Sequence, residues 1–104
     1  MGKRRAARVP PPALPPTLHG ALPDVTLDLH GLYTSQAALR VEALLETWAR
    51  RQPGAVLRIV TGKGNRSAEG PVLLGAVEEI LRADPRVGEL VLDAGGGCWL
   101  VRVR

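Results

Sequence analysis

An aspartate and a histidine stand two residues apart in "TLDLHGL", residues 26–32. An imidazole beside a carboxylate can move protons near neutral pH, with His30 as the proton carrier and Asp28 orienting the ring or holding it protonated. A second stretch, "TGKGNRS" at residues 61–67, has a different capacity. Gly62 and Gly64 let the backbone approach an anion closely, Lys63 brings a positive charge, and Asn65, Arg66 and Ser67 add donors, so phosphate is the natural guest. Taken singly, each stretch has a plain reading: the wet side of a half-buried strand for the first, a tight strand-to-helix connection for the second. An NTP-binding loop is excluded, because Gly64 stands where Ser or Thr is needed after "GK" and Leu57 where the upstream glycine belongs.

The surrounding pattern says how the two stretches are held. "VTLDLH" alternates as a half-buried strand, which places Thr26, Asp28 and His30 on one face, with Asp28 and His30 about 7 Å apart along it. A turn and an N-cap at Thr34 lead into a helix whose Ala37, Val41, Leu44, Leu45 and Trp48 make one apolar stripe. Pro53 and Gly54 stop it. "AVLRIV" is a second strand, and Pro71 opens a second helix carrying Leu73, Val77, Ile80 and Leu81 on its buried side. "GELVLD" and "CWLVRVR", joined by "AGGG", read as a hairpin. The order is strand, helix, strand, helix, strand, strand. Right-handed crossovers make the first three strands parallel and put both helices on one face, so the expected fold is a two-layer α/β sandwich with its other face open. The C-terminal ends of the first two strands then share a rim, where open α/β sheets hold ligands, and "LHG" and "TGKGN" become neighbours. In the last strand Trp99, Val101 and Val103 face the core, leaving Arg102 and Arg104 on the open face, either to follow a phosphate backbone or as solvated surface. Tyr33 can stack on a base or pack on the helix start. Trp48 belongs to the core, and His19, in a second "LHG", is read as a chance repeat.

With 104 residues, 45% of them hydrophobic, there is material for one core. The net charge of +4 lies wholly in residues 1–23, which hold Lys3, Arg4, Arg5, Arg8, six prolines and no acids; the remaining ten basic residues match ten acidic ones. Residues 1–23 are expected to be a flexible basic extension, serving as an electrostatic arm for phosphate or as a solubilising tail, and residues 24–104 the folded domain. Prolines interrupt any signal-peptide core, no apolar run is long enough to span a membrane, and a lone Cys98 suits a reducing compartment. A cytoplasmic monomer is expected, with no membrane partner and no metal-ligand cluster of Cys and His.

The two motifs in this order, followed by "GPVLLGAVEEIL" and a glycine-rich turn into "GGGCWLVRV", resemble the Smr (small MutS-related) domain from about Asp24 to Arg104. That resemblance implies a fold like the C-terminal domain of translation initiation factor three, with sheet order first, second, fourth, third. It also implies nucleic-acid binding and, in many members, endonuclease activity on DNA or RNA, including messenger RNA on ribosomes. The family's "LDLH" maps onto Leu27, Asp28, Leu29 and His30, and its "TGxG" onto Thr61, Gly62, Lys63 and Gly64, so neither motif is broken. The expected activity is phosphodiester hydrolysis or transesterification by Asp28 and His30. The glycine loop would offset phosphate charge with no required cofactor, Mg²⁺ or Mn²⁺ being recruitable by Asp28 through water. The alternative is a noncatalytic nucleic-acid or ribosome-binding adaptor using the same rim.

Overall fold

The computed structural model describes residues 18–62, 72–93 and 95–104. Its elements are β1 (Val25–Asp28), α1 (Thr34–Arg51), β2 (Val56–Val60), α2 (Val72–Ala83), β3 (Val87–Leu92) and β4 (Cys98–Val103). The expected N-cap of α1 moves by one residue: Tyr33, with extended backbone, is the cap, and Thr34 is the first helical residue. Gln36 Oε1 accepts the Tyr33 N–H at 3.0 Å, satisfying a donor that the helix start would otherwise orphan. Pro71, expected to open α2, lies outside the described residues.

The sheet order is β1-β2-β4-β3, with β1 parallel to β2 and β4 antiparallel to both of its neighbours. The first three strands are therefore mutually parallel, as the crossovers require, and β4 slots between the second and third. Period-2 alternation sends Leu57 and Ile59 of β2 and Trp99, Val101 and Val103 of β4 into one core with Ala37, Val41 and Leu45 of α1 and Leu73, Val77 and Leu81 of α2. Each fully buried aliphatic side chain there contributes about 1.5–3 kcal/mol. Trp99 completes the layer, its Nε1–H donating to the Leu74 carbonyl of α2 at 3.2 Å. No helix among the described residues is long and apolar enough to cross a membrane.

The second face departs from expectation: part of it is covered. Leu18, 2% exposed, packs with Val56 and Leu100, and Ala21 and Val91 flank them. The described end of the expected flexible extension thus docks on the sheet. Asp24 fixes its approach, its N–H donating to the Val56 carbonyl at 2.8 Å and its Oδ2 accepting the Val56 N–H at 2.9 Å. The physical reason lies in the strands: Val56, Leu100 and Val91 are apolar residues on the helix-free side, and Leu18 removes them from water.

At the turn between α2 and β3, Asp84 accepts from the Arg86 backbone N–H, Nε and Nη2 at 2.7–2.9 Å, and Arg86 reaches Glu42 of α1 at 2.8 Å. Hydrogen bonding from the Arg86 side chain holds the Asp84 carboxyl below the usual carboxylate range, against partial burial. A depressed acid stabilises above its unfolded pKa and loses that contribution as pH falls through the folded value. Asp84→Asn should therefore lower stability at neutral pH by about 1–3 kcal/mol, with the gap to the parent narrowing below about pH 4. Urea melts of both chains at neutral and acidic pH test this; a gap that is constant with pH would remove the electrostatic explanation.

Candidate active site

β1 ends at Asp28, two residues before His30, and that early ending shapes the site. Leu29 still pairs, its N–H donating to the Val60 carbonyl at 2.7 Å, and its side chain is fully buried. The chain then turns: the Leu32 N–H donates to the Leu29 carbonyl at 3.1 Å and Gly31 takes φ +82°, a conformation that costs glycine no Cβ clash. The expected spacing of about 7 Å along the strand does not keep the two side chains apart. The His30 ring instead folds back onto Asp28, with Nδ1 to Oδ1 at 2.6 Å, and the His30 backbone N–H donates to the same oxygen at 3.0 Å.

This geometry determines the tautomer. The hydrogen bond from the His30 side chain, reinforced by its backbone N–H, holds Asp28 below the usual carboxylate range, so Asp28 is an ionised acceptor with no proton to donate. Nδ1 must carry the shared proton, which leaves Nε2 as the second ring nitrogen. The His30 side chain is 70% exposed, so a ligand can reach it.

β2 brings the other motif to the same rim, because Asp28 pairs with Val60 in the parallel register. Gly62 follows with φ +78°, and a Cβ placed on it would sit 3.5 Å from the His30 Cβ. The Thr61 and Gly62 N–H groups both donate to the Gly97 carbonyl, at 3.0 and 2.9 Å, which ties the rim to the β3–β4 turn. Thr61 is 1% exposed, and its hydroxyl is directed to the Gly62 carbonyl at 3.1 Å and the Gly97 carbonyl at 3.4 Å. Its expected role as a ligand contact gives way to a structural one, since the hydroxyl is spent inside the protein. Lys63, Gly64, Asn65, Arg66 and Ser67 lie outside the described residues.

Arg102 does not join the site. It pairs with Val56 at the opposite end of β2, four residues or about 13 Å from the Val60–Cys98 end, because β4 runs antiparallel. There it donates from Nε to Glu89 at 2.7 Å. Arg104 donates to the Pro85 carbonyl at 2.7 Å. Tyr33 is 57% exposed, close after His30 in the chain. The residue that the motif reading passed over is Arg58, half-buried on the His30 side of the sheet, whose charge also favours ionised Asp28. Its signal was in "VLRIV", where alternation opposes Arg58 to Leu57 and Ile59. Among the described residues no three His, Cys, Asp or Glu side chains gather as a metal site. A groove of ≈ 200 Å³ lined by Leu81, Arg82 and Val87–Leu90 lies at the far edge strand, away from His30.

The profile of the Smr domain matches residues 27–103. The chain is similar to the Smr domain of Thermus thermophilus MutS2, at 32% identity and a TM-score of 0.64, over 76% of this chain and 96% of that one. It is also similar to the B3BP Smr domain, at 30% identity and a TM-score of 0.56, over 76% and 77% of the two chains. An uncharacterised protein of Treponema pallidum (strain Nichols) is 37% identical over 73 residues, 70% of this chain but 36% of that protein. The chain thus spans little more than a third of the length of that curated relative.

Proposed function

Since this chain belongs to the Smr domain family, a family of nucleic-acid-binding domains, we propose that it is an endonuclease in which His30 moves the proton that phosphodiester cleavage requires. The observation that carries the reading is the 2.6 Å contact between His30 Nδ1 and Asp28 Oδ1. With Nδ1–H committed to an ionised carboxylate, neutral His30 presents Nε2 as a base toward an RNA 2′-hydroxyl or a water. The deprotonated oxygen attacks phosphorus, the bond to the leaving oxygen breaks, and Nε2–H can return the proton to it. Asp28 stabilises the imidazolium that forms between those events. Gly62 keeps the rim beside His30 open to a phosphate, and Lys63, assigned on sequence grounds, offsets charge in the transition state. The scheme routes no step through a metal, though hydrated Mg²⁺ or Mn²⁺ can be drawn to Asp28 by charge. The proposed setting is the cytoplasm, with RNA, DNA or ribosome-bound RNA as partner.

The test is incubation of the purified chain with end-labelled single-stranded RNA, stem-loop RNA, ribosome-bound RNA and supercoiled plasmid, in EDTA and in Mg²⁺ or Mn²⁺. Cleavage in EDTA leaving a 2′,3′-cyclic phosphate would identify 2′-hydroxyl attack. Cleavage of plasmid, or cleavage of RNA with no 2′,3′-cyclic end, would identify water as nucleophile. Binding without cleavage on every substrate, ribosome-bound RNA included, would refute the endonuclease and leave an adaptor domain.

A further inference from the structure

Arg58 sits at the middle of β2, where its Cα partners are Thr26 of edge strand β1 and Leu100 of β4. Its neighbours Leu57 and Ile59 point into the helix-packed core, so Arg58 points to the other face, the one that also carries Asp28 two residues after Thr26. Part of that face is covered by Leu18 and Ala21, which pack with Val56 and Leu100. The uncovered part runs from Arg58 and Thr26 to Asp28 and on to His30 at the rim.

The charges on this face are unequal in their pairing. Arg102, at the far end, is neutralised by Glu89. Arg82, Arg86 and Arg50 are each matched by an acid elsewhere on the domain. Among the described residues no carboxylate lies within ion-pairing distance of Arg58. Its charge favours ionised Asp28 on one side, and on the other its charge and a side-chain hydrogen bond oppose the upward push that burial and Asp93 give the Cys98 thiol, which leaves further donors of the guanidinium for a ligand. A half-buried guanidinium has lost part of its hydration and carries five donors in a fixed fork, which suits an oxyanion ligand.

We propose that Arg58 forms a second phosphate subsite, separate from the glycine loop, which holds a backbone phosphate neighbouring the scissile one and lays the nucleic-acid strand along β1 from His30 toward Thr26. This deepens the reading of the site as a nucleic-acid enzyme and rests on it. Arg58 and Val60, the partner of Asp28, are two residues or about 7 Å apart along the strand, an interval that an arginine side chain bridges to reach adjacent phosphates. Backbone contact of this kind positions a strand without reading its bases.

The experiment measures binding of short fluorescein-labelled single-stranded RNA by anisotropy across a KCl series, in a His30→Ala background that slows turnover below the time of the measurement. Arg58→Gln should weaken binding about tenfold at low salt and reduce the slope of log K against log salt by about 0.7, the share of one phosphate contact on a single strand. Arg58→Lys should keep the slope. Arg50→Gln, on the helix side, should leave both quantities unchanged. Arg58→Met, which keeps much of the aliphatic stem, takes the place of the Gln variant if its thermal midpoint falls. An unchanged slope in Arg58→Gln, or an equal loss in Arg50→Gln, would overturn the subsite. So would a variant that binds as the parent does but cleaves with an altered pH profile in the His30-intact chain, which would make Arg58 a positioning residue for Asp28. RNA binding by the parent without cleavage would remove the endonuclease but leave the subsite standing, whereas a parent that binds no nucleic acid would remove both.

Discussion

Replacing His30 with alanine should slow cleavage by about 10²–10⁴-fold, the range that a positioned general acid-base supplies, while substrate binding stays close to the parent's. The expectation follows from how the ring is held. With its Nδ1–H committed to Asp28 Oδ1 at 2.6 Å, Nε2 is the ring nitrogen through which the proposed proton transfer runs. Asp28→Asn should also lose activity, through a different link: the amide oxygen can still accept from Nδ1–H, but the negative charge that stabilises the imidazolium is gone. The sign of the Asp28 shift adds a pH criterion. Hydrogen bonds from His30 lower its pKa, so the carboxylate stays charged as pH falls through the ordinary Asp value near 4. An acid limb of the parent's rate profile above that value is therefore not the titration of Asp28 and should survive in Asp28→Asn at reduced amplitude. Rates and anisotropy for the parent and the two variants on one substrate decide the matter. Near-parental cleavage by His30→Ala would refute the mechanism, and joint loss of binding and cleavage would make His30 a contact rather than a proton carrier.

Leu18→Ala should lower stability by about 2 kcal/mol and the thermal midpoint by about 8–16 °C, although the residue lies in a segment whose composition reads as a tail. Leu18 is 2% exposed against Val56 and Leu100. Truncation loses the burial of its own methyl groups and returns part of those two side chains to water. Leu22, 89% exposed only four residues later, is the matched control, and Leu22→Ala should leave the midpoint unchanged. If both substitutions behave alike in thermal melts, the docked turn contributes nothing to folding. The consequence for the site is spatial: Leu18 covers the sheet face around Val56 and Leu100, leaves Thr26, Asp28 and His30 exposed, and Arg58 stands between the two regions.

Much of this architecture was legible residue by residue. Ala37, Val41 and Leu45 announced α1 because helical periodicity is a property of near neighbours, and Gly31, Gly54 and Gly62 marked chain reversals because φ near +80 to +90° favours glycine. The alternation in "VLRIV" even assigned Arg58 its face, though nothing local says that this face belongs to the site. The sheet order came from family resemblance rather than from the pattern, since alternation is the same wherever a strand is inserted.

The sequence by itself determined the elements, their buried sides and the meeting of "LHG" with Thr61 and Gly62 at the shared end of two parallel strands, because spacing and crossover handedness depend on short stretches of chain. Tertiary structure alone decided that β1 stops at Asp28 so that His30 folds back onto it, that Thr61 is buried with its hydroxyl directed to the Gly62 and Gly97 carbonyls, and that Leu18 covers Val56 and Leu100. It also decided that Arg102 lies at the far end of the sheet. The reason is common to all four: each is a contact set by strand register or by where a turn lets the chain return, and side-chain type records neither.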